Sequence, residues 1–128
     1  MKSWTLLVMV MGGLMAQTPT AVMEVFKAAG EALTNQDANA FLDQFDQNMP
    51  GYAKLRDQIQ ELVALDAAAS TVDVVSDEGD VNKRVLSLDW LLRIGSDRPR
   101  RQVVNCTVEK QGKKWKITAL EPLEFFKR

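Results

Sequence analysis

Histidine is missing from this 128-residue chain, and cysteine and tyrosine occur once each. Without imidazole there is no Ser-His-Asp or Cys-His nucleophile, no HExxH zinc site and no histidine proton shuttle. The lone Cys106 excludes an intramolecular disulfide. It falls mid-strand on an apolar face, where a single thiol acts as a small hydrophobe and is poorly placed for an intermolecular bridge. No internal repeat or low-complexity linker interrupts the chain, and no metal or cofactor is expected from its motifs. The acidic stretch Asp77-Glu78-Gly79-Asp80 offers too few oxygens at the required spacing for a calcium loop.

What is present suits one folded domain. The hydrophobic fraction is 46%, with an ordinary charged fraction of 26%, enough for a single real core in a chain of this length. Met1-Lys2-Ser3 followed by the apolar run Trp4–Met15 and Leu14-Met15-Ala16 fits a secretory signal over residues 1–17, with the domain occupying residues 18–128. The run is too short to span a bilayer comfortably, so no stable membrane span is expected in the mature chain. The expected location is therefore exported, periplasmic or secreted.

Charge is divided along the chain. Gln17–Asn82 holds 3 basic and 12 acidic residues, whereas Lys83–Arg128 holds 12 basic and 5 acidic. This falls short of the concentrated basic surface of a nucleic-acid binder, and no nucleic-acid partner is expected. Arg98-Pro99-Arg100-Arg101 is a compact basic loop that suits a phosphate, a sulfate or an anionic head group, although such clusters are more often solvated surface.

Three helices are predicted first. Thr18-Pro19-Thr20 starts one, with Thr as its cap and Val22, Val25, Phe26, Ala29 and Leu33 at helical spacing. Asp37 caps a shorter second helix bearing Phe41, Leu42 and Phe45. After the turn Asn48-Met49-Pro50-Gly51, a third runs from Tyr52 to Leu65, burying Tyr52, Leu55, Ile59, Leu62 and Val63.

Strands follow at Thr71–Ser76, Val85–Ile94, Gln102–Glu109 and Lys114–Leu120. Consecutive antiparallel hairpins put their apolar residues in phase. Closure around Gln111-Gly112 sets Val108 against Trp115, Cys106 against Ile117 and Val104 against Ala119. On the preceding pair, Leu88, Trp90 and Leu92 meet Val108, Cys106 and Val104, while Val72 and Val74 meet Leu88 and Leu86. Val85, Leu91, Val103 and Leu120 then lie on the outer face. Asn105-Cys106-Thr107 matches the glycosylation pattern but sits mid-strand, so the match is read as coincidence. Pro122 stops the last strand, leaving an apolar tail of Leu123, Phe125 and Phe126 that needs a cover.

The segment Asn35-Gln36-Asp37…Phe41-Leu42 and the strand start Gly112-Lys113-Lys114-Trp115-Lys116-Ile117, within three helices and a curved four-stranded sheet, resemble the nuclear-transport-factor-2-like superfamily. This cone-shaped α+β group includes ketosteroid isomerases and polyketide-cyclase-like proteins, and the resemblance covers Thr18 to Leu120. It implies helices packed on the concave face of a mostly antiparallel sheet, with a pocket at the mouth of the cone lined by Phe41, Phe45, Tyr52, Leu88, Trp90 and Cys106. It also implies pairing through the outer sheet face, and hence a homodimer. The isomerase branch would need Tyr52 with a carboxylate, Asp46 or Asp89, as acid and base. By strand parity Asp89 points away from Trp90, and the dehydratase branch needs the histidine that is absent. The expected function is thus an exported non-catalytic domain that binds a small apolar ligand or serves as an interaction module. The alternative is a small isomerase- or cyclase-like enzyme.

Overall fold

The computed structural model describes residues 18–128; the expected signal segment lies outside the described residues. Helices α1 (Thr20–Thr34), α2 (Ala38–Leu42) and α3 (Tyr52–Leu65) precede strands β1 (Ala68–Gly79), β2 (Lys83–Ile94), β3 (Arg100–Gln111) and β4 (Lys114–Glu121), and a short 3₁₀ turn, Leu123–Phe126, closes the chain. The strands form one antiparallel sheet in the order β1-β2-β3-β4. This is the expected α+β architecture of three helices on a curved sheet.

The helices form where apolar residues recur on one face. In α1 that face is Val22, Val25, Phe26, Ala29 and Leu33, all buried, and in α3 it is Leu55, Ile59, Leu62 and Val63. Asp37 caps α2 as expected, its carboxylate accepting from Ala40 N at 3.0 Å. The cap of α1 differs from expectation. Pro19 occupies it, and its carbonyl accepts from Val22 N at 3.0 Å and Met23 N at 3.1 Å. The Thr18 hydroxyl donates instead to Asp77 Oδ2 of β1 at 2.8 Å. Phe45 lies beyond α2 and forms a parallel bridge with Ile117.

The faces of the sheet match expectation while the registers slide. Leu88 faces Val104 and Leu86 faces Cys106, a shift of four residues from the anticipated pairing. The shift is even, so every side chain keeps its side. Its cause is an earlier reversal: Asp97 N donates to Ile94 O at 3.0 Å across a turn in which Gly95 adopts φ 57°, a region glycine reaches without steric cost. In the last hairpin Gln111 pairs with Lys114, so the turn is Gly112-Lys113 and Val108 faces Ile117 rather than Trp115. Similarly, Val72 faces Trp90 and Val74 faces Leu88.

One expectation is overturned at the end of β4. Between Ile117 and Ala119 the register slips by one residue, and Leu120 becomes the partner of Cys106. This bulge turns Leu120 into the core, where it is 3% exposed. It therefore does not belong to the outer face. That face keeps Val85, Leu91 and Val103, all exposed, with Val75 at a bulge in β1.

Candidate functional site

The residues expected to line a pocket are brought together, and the chain's own tail fills the space between them. Phe41 from α2, Phe45 after it, Leu88 and Trp90 from β2 and Cys106 from β3 are each 0–2% exposed within one apolar cluster, with Tyr52 partly buried against it. Phe126 from the terminal 3₁₀ turn stands edge-on to Trp90 with ring centres 5.1 Å apart and edge-on to Phe41 at 5.5 Å. Phe41 in turn packs on Phe45 at 5.1 Å. Phe125 sits 5.2 Å from Phe126 and 6.2 Å from Trp90, and Phe26 of α1 meets the other side of Trp90 at 6.2 Å. Such edge-to-face pairs add about 0.5–1.5 kcal/mol each beyond the area they bury. Trp90 Nε1 has no hydrogen-bond partner in this cluster.

Polar contacts from β3, from α3 and from its C-cap Asp66 hold the tail in place. Arg100, at the start of β3, donates from Nη1 to the carbonyls of Phe125 at 2.9 Å and Lys127 at 2.6 Å. Arg128 donates to Leu62 O at 2.9 Å and pairs with Asp66 at 2.6 Å, while Lys54 of α3 pairs with Glu124 at 2.6 Å. The Lys54–Glu124 pair is exposed and the Arg128–Asp66 pair partly so, so the apolar packing outweighs them. At Gly51, φ 81°, a Cβ would stand 2.4 Å from Leu123 Cδ1. Glycine reaches this positive φ without steric cost and leaves room for Leu123 against the start of α3.

The carboxylates proposed as a general base are committed elsewhere. Asp89 faces outward and receives Arg101 through both oxygens, Nε at 3.0 Å and Nη2 at 2.7 Å. Those hydrogen bonds hold its pKa below the ordinary aspartate value. Asp46 accepts from Asn48 N at 2.8 Å and from Gln111 Nε2 at 2.7 Å, and these bonds likewise lower its pKa. A base that must gain a proton near neutrality needs the opposite shift. Burial pushes the Cys106 thiol up to about 12, which makes it a packing group and a poor nucleophile.

Several grooves open on the outside, among them one of about 480 Å³ beside the tail, lined by Pro50, Gly51, Leu120, Pro122 and Leu123 among others. Another of about 500 Å³ lies between α1 and β1, lined by Met23, Phe26, Lys27, Gly30, Ser70 and Val72 among others. A third of about 730 Å³ lies where α1 meets β4, around Glu24, Asp43, Trp115 and Lys113, Lys114 and Lys116. No group of histidine, cysteine and carboxylate side chains suited to a metal ion occurs among the described residues. None of the described helices is long and apolar enough to cross a membrane.

No protein-family model and no curated protein sequence matches the chain. Solved structures do. A nuclear-transport-factor-2-like protein of unknown function from Shewanella oneidensis MR-1 superposes with a TM-score of 0.69 at 15% identity, over 78% of this chain and 93% of its own. The chain has the nuclear-transport-factor-2-like fold. A protein of unknown function from Nostoc punctiforme, described as cystatin-like in fold, matches at TM-score 0.62 and 16% identity over 78% of this chain and 85% of its own. A protein of unknown function from Mycobacterium tuberculosis matches at 0.66 and 11% identity over 78% and 67%.

Within this nuclear-transport-factor-2-like cone, sequence reasoning missed what the tail and the basic loop do. Leu123–Phe126 was expected to need an outside cover, yet Phe125 and Phe126 are 4% and 0% exposed inside the cone. Arg100 and Arg101, read as an anion loop or plain surface, divide their work between the tail and Asp89. The available signal was the spacing from Pro122 to Phe125-Phe126, which gives two large rings just enough chain to fold back.

Proposed function

We propose that this chain is an exported, non-catalytic interaction domain that pairs with a second copy of itself through the outer face of its sheet. The observation carrying this reading is the filled cone: Phe125 and Phe126 occupy the space between Phe41 and Trp90 that a small apolar ligand would need. The two candidate bases are ionised and bound by Arg101, Gln111 and the backbone. Neither carboxylate reaches the interior, and no polar or charged residue is buried there among the described residues, which favours a role for the surface.

On that surface the outer face supports self-association. Val85, Leu91 and Val103 stand exposed on the two central strands, amid charges of both signs: Asp89 with Arg101, and Lys83, Arg93 and Glu109 around them. A patch of mixed sign is self-complementary under a twofold axis, whereas a single-sign patch repels its copy. Export is supported by the basic start and apolar run of residues 1–17, and a cleaved leader would shorten the intact mass by roughly the first 17 residues. Sedimentation equilibrium tests the pairing. The protein is expected to sediment as a dimer and the Leu91→Arg, Val103→Arg double variant as a folded monomer. A native chain that stays monomeric at its highest soluble concentration contradicts the proposal.

A further inference from the structure

The sheet has two edges, and they are finished differently. β4 is engaged at Ile117 by the segment around Phe45: Ile117 N donates to Gln44 O at 2.8 Å, and Asp46 N donates to Ile117 O at 2.9 Å. β1 has a strand on one side only. Its ladder begins with Gly95 N donating to Ala67 O at 2.9 Å. Antiparallel alternation then turns the backbones of Ala69, Thr71 and Asp73 towards β2, and those of Ala68, Ser70, Val72 and Val74 away from it. Ala68 O is satisfied by the Thr34 hydroxyl at 3.0 Å. No bond among the described residues outside the sheet ladder engages the outward N–H and C=O groups of Ser70, Val72 and Val74.

The same residues send their side chains towards α1, because the pleat puts alternate positions on one face. There Ser70 and Val72 form one wall of the groove of about 500 Å³, with Met23, Phe26 and Gly30 opposite. Ser70 Oγ is shielded from solvent and has no partner. A Cβ on Gly30 would stand 3.0 Å from it, so glycine keeps this part of the groove open. An unpaired edge thus runs beside a groove that can receive alternate side chains, the arrangement by which sheets accept a peptide as an added strand.

Charge selects the kind of strand. Glu31 and Lys27 of α1 line the groove, β1 itself carries Asp73, Asp77 and Glu78 with no basic residue, and Asp77 pairs with Arg84 at 2.8 Å. A second copy paired edge to edge would double this negative charge, whereas a basic segment complements it. We propose that β1 accepts an extended, basic-flanked peptide of a partner protein as a fifth strand, with an apolar side chain seated against Met23, Phe26 and Val72. The site uses the edge of the sheet and the proposed dimer uses its face, so each can fail without the other.

Three labelled peptides test it against the intact protein by fluorescence polarisation: Arg-Thr-Val-Thr-Val-Thr-Arg, the same core with Glu at both ends, and the Arg-ended peptide with every internal amide methylated. The Arg-ended peptide is expected to bind, the other two at least about tenfold more weakly. Hydrogen exchange on the unmodified protein locates the site without a variant. The Ser70, Val72 and Val74 amides should exchange fast in the free protein and at least about tenfold more slowly with peptide bound. Val72→Pro removes one outward donor, leaves the β2 ladder intact and should weaken binding. The proposal is overturned by no binding at about 1 mM peptide, by equal binding of all three peptides, or by protection confined to other strands.

Discussion

Asp89 shows how one residue decides between readings of the whole site. In sequence it is a carboxylate one position from a strand's apolar stripe, between Leu88 and Trp90, available in principle as a base, and strand parity alone placed it outside. The structure adds Arg101, which engages both its oxygens and keeps it ionised. A carboxylate whose folded pKa lies below its unfolded value stabilises the fold above the ordinary value of 3.8, and that contribution is lost as pH falls through the depressed value. Asp89→Asn is therefore expected to be slightly less stable than the native chain near neutrality and to lose less stability between about pH 4 and pH 2, so that the two converge in acid. Denaturant titrations across that window check it. The effect is small because the pair is exposed on the Arg101 side. Phe126 is the opposite case, since nothing in its neighbours' spacing reveals which cavity a terminal ring will find. Its role depends on contacts 36 residues back at Trp90 and further still at Phe41.

At the scale of elements, side-chain periodicity carried most of the information. The span of α3, Asp37 as a cap, the four strands and their core faces all follow from where apolar residues fall. Register was less legible, because shifts of two and four residues keep the same faces and so leave the hydrophobic pattern unchanged. Turn geometry broke that degeneracy, with Gly95 and Gly112 at positive φ fixing where each chain reverses. The bulge near Thr118 left no sequence signal, and there parity failed, moving Leu120 from the outer face to the core. Leu120→Ala should then cost about 2–5 kcal/mol, whereas Val103→Ala on the outer face should stay within about 0.5 kcal/mol in the monomer. Urea unfolding of both variants measures the difference. Equal small costs would return Leu120 to the surface.

For the molecule as a whole, the fold is a cone whose interior holds a cluster of packed aromatic side chains. Six aromatic rings from α1, α2, β2 and the tail meet there, and Arg100, Arg128 and Lys54 fasten the tail across the mouth. The resemblance implied the cone, which the chain has, and a pocket at its mouth. Among the residues expected to line that pocket, Phe41 and Trp90 are packed by Phe125 and Phe126 from the four residues after Pro122. The exterior carries an apolar patch of mixed charge on the sheet face and an acidic edge strand at β1. The division of charge between the two halves of the chain fits this, since α1 and β1 supply the acidic edge and the later strands the basic residues.

The most direct test of the filled cone is binding of an apolar naphthalene-sulfonate dye, followed by its own emission and by energy transfer from tryptophan, in the native chain and in Phe126→Ala. That truncation should cost about 3–5 kcal/mol and open a space beside Trp90, so both proteins are compared where circular dichroism shows them folded. The account predicts no saturable binding to the native protein and one-to-one binding to the variant. Tight, saturable binding to the native chain, unchanged by Phe126→Ala, would contradict it.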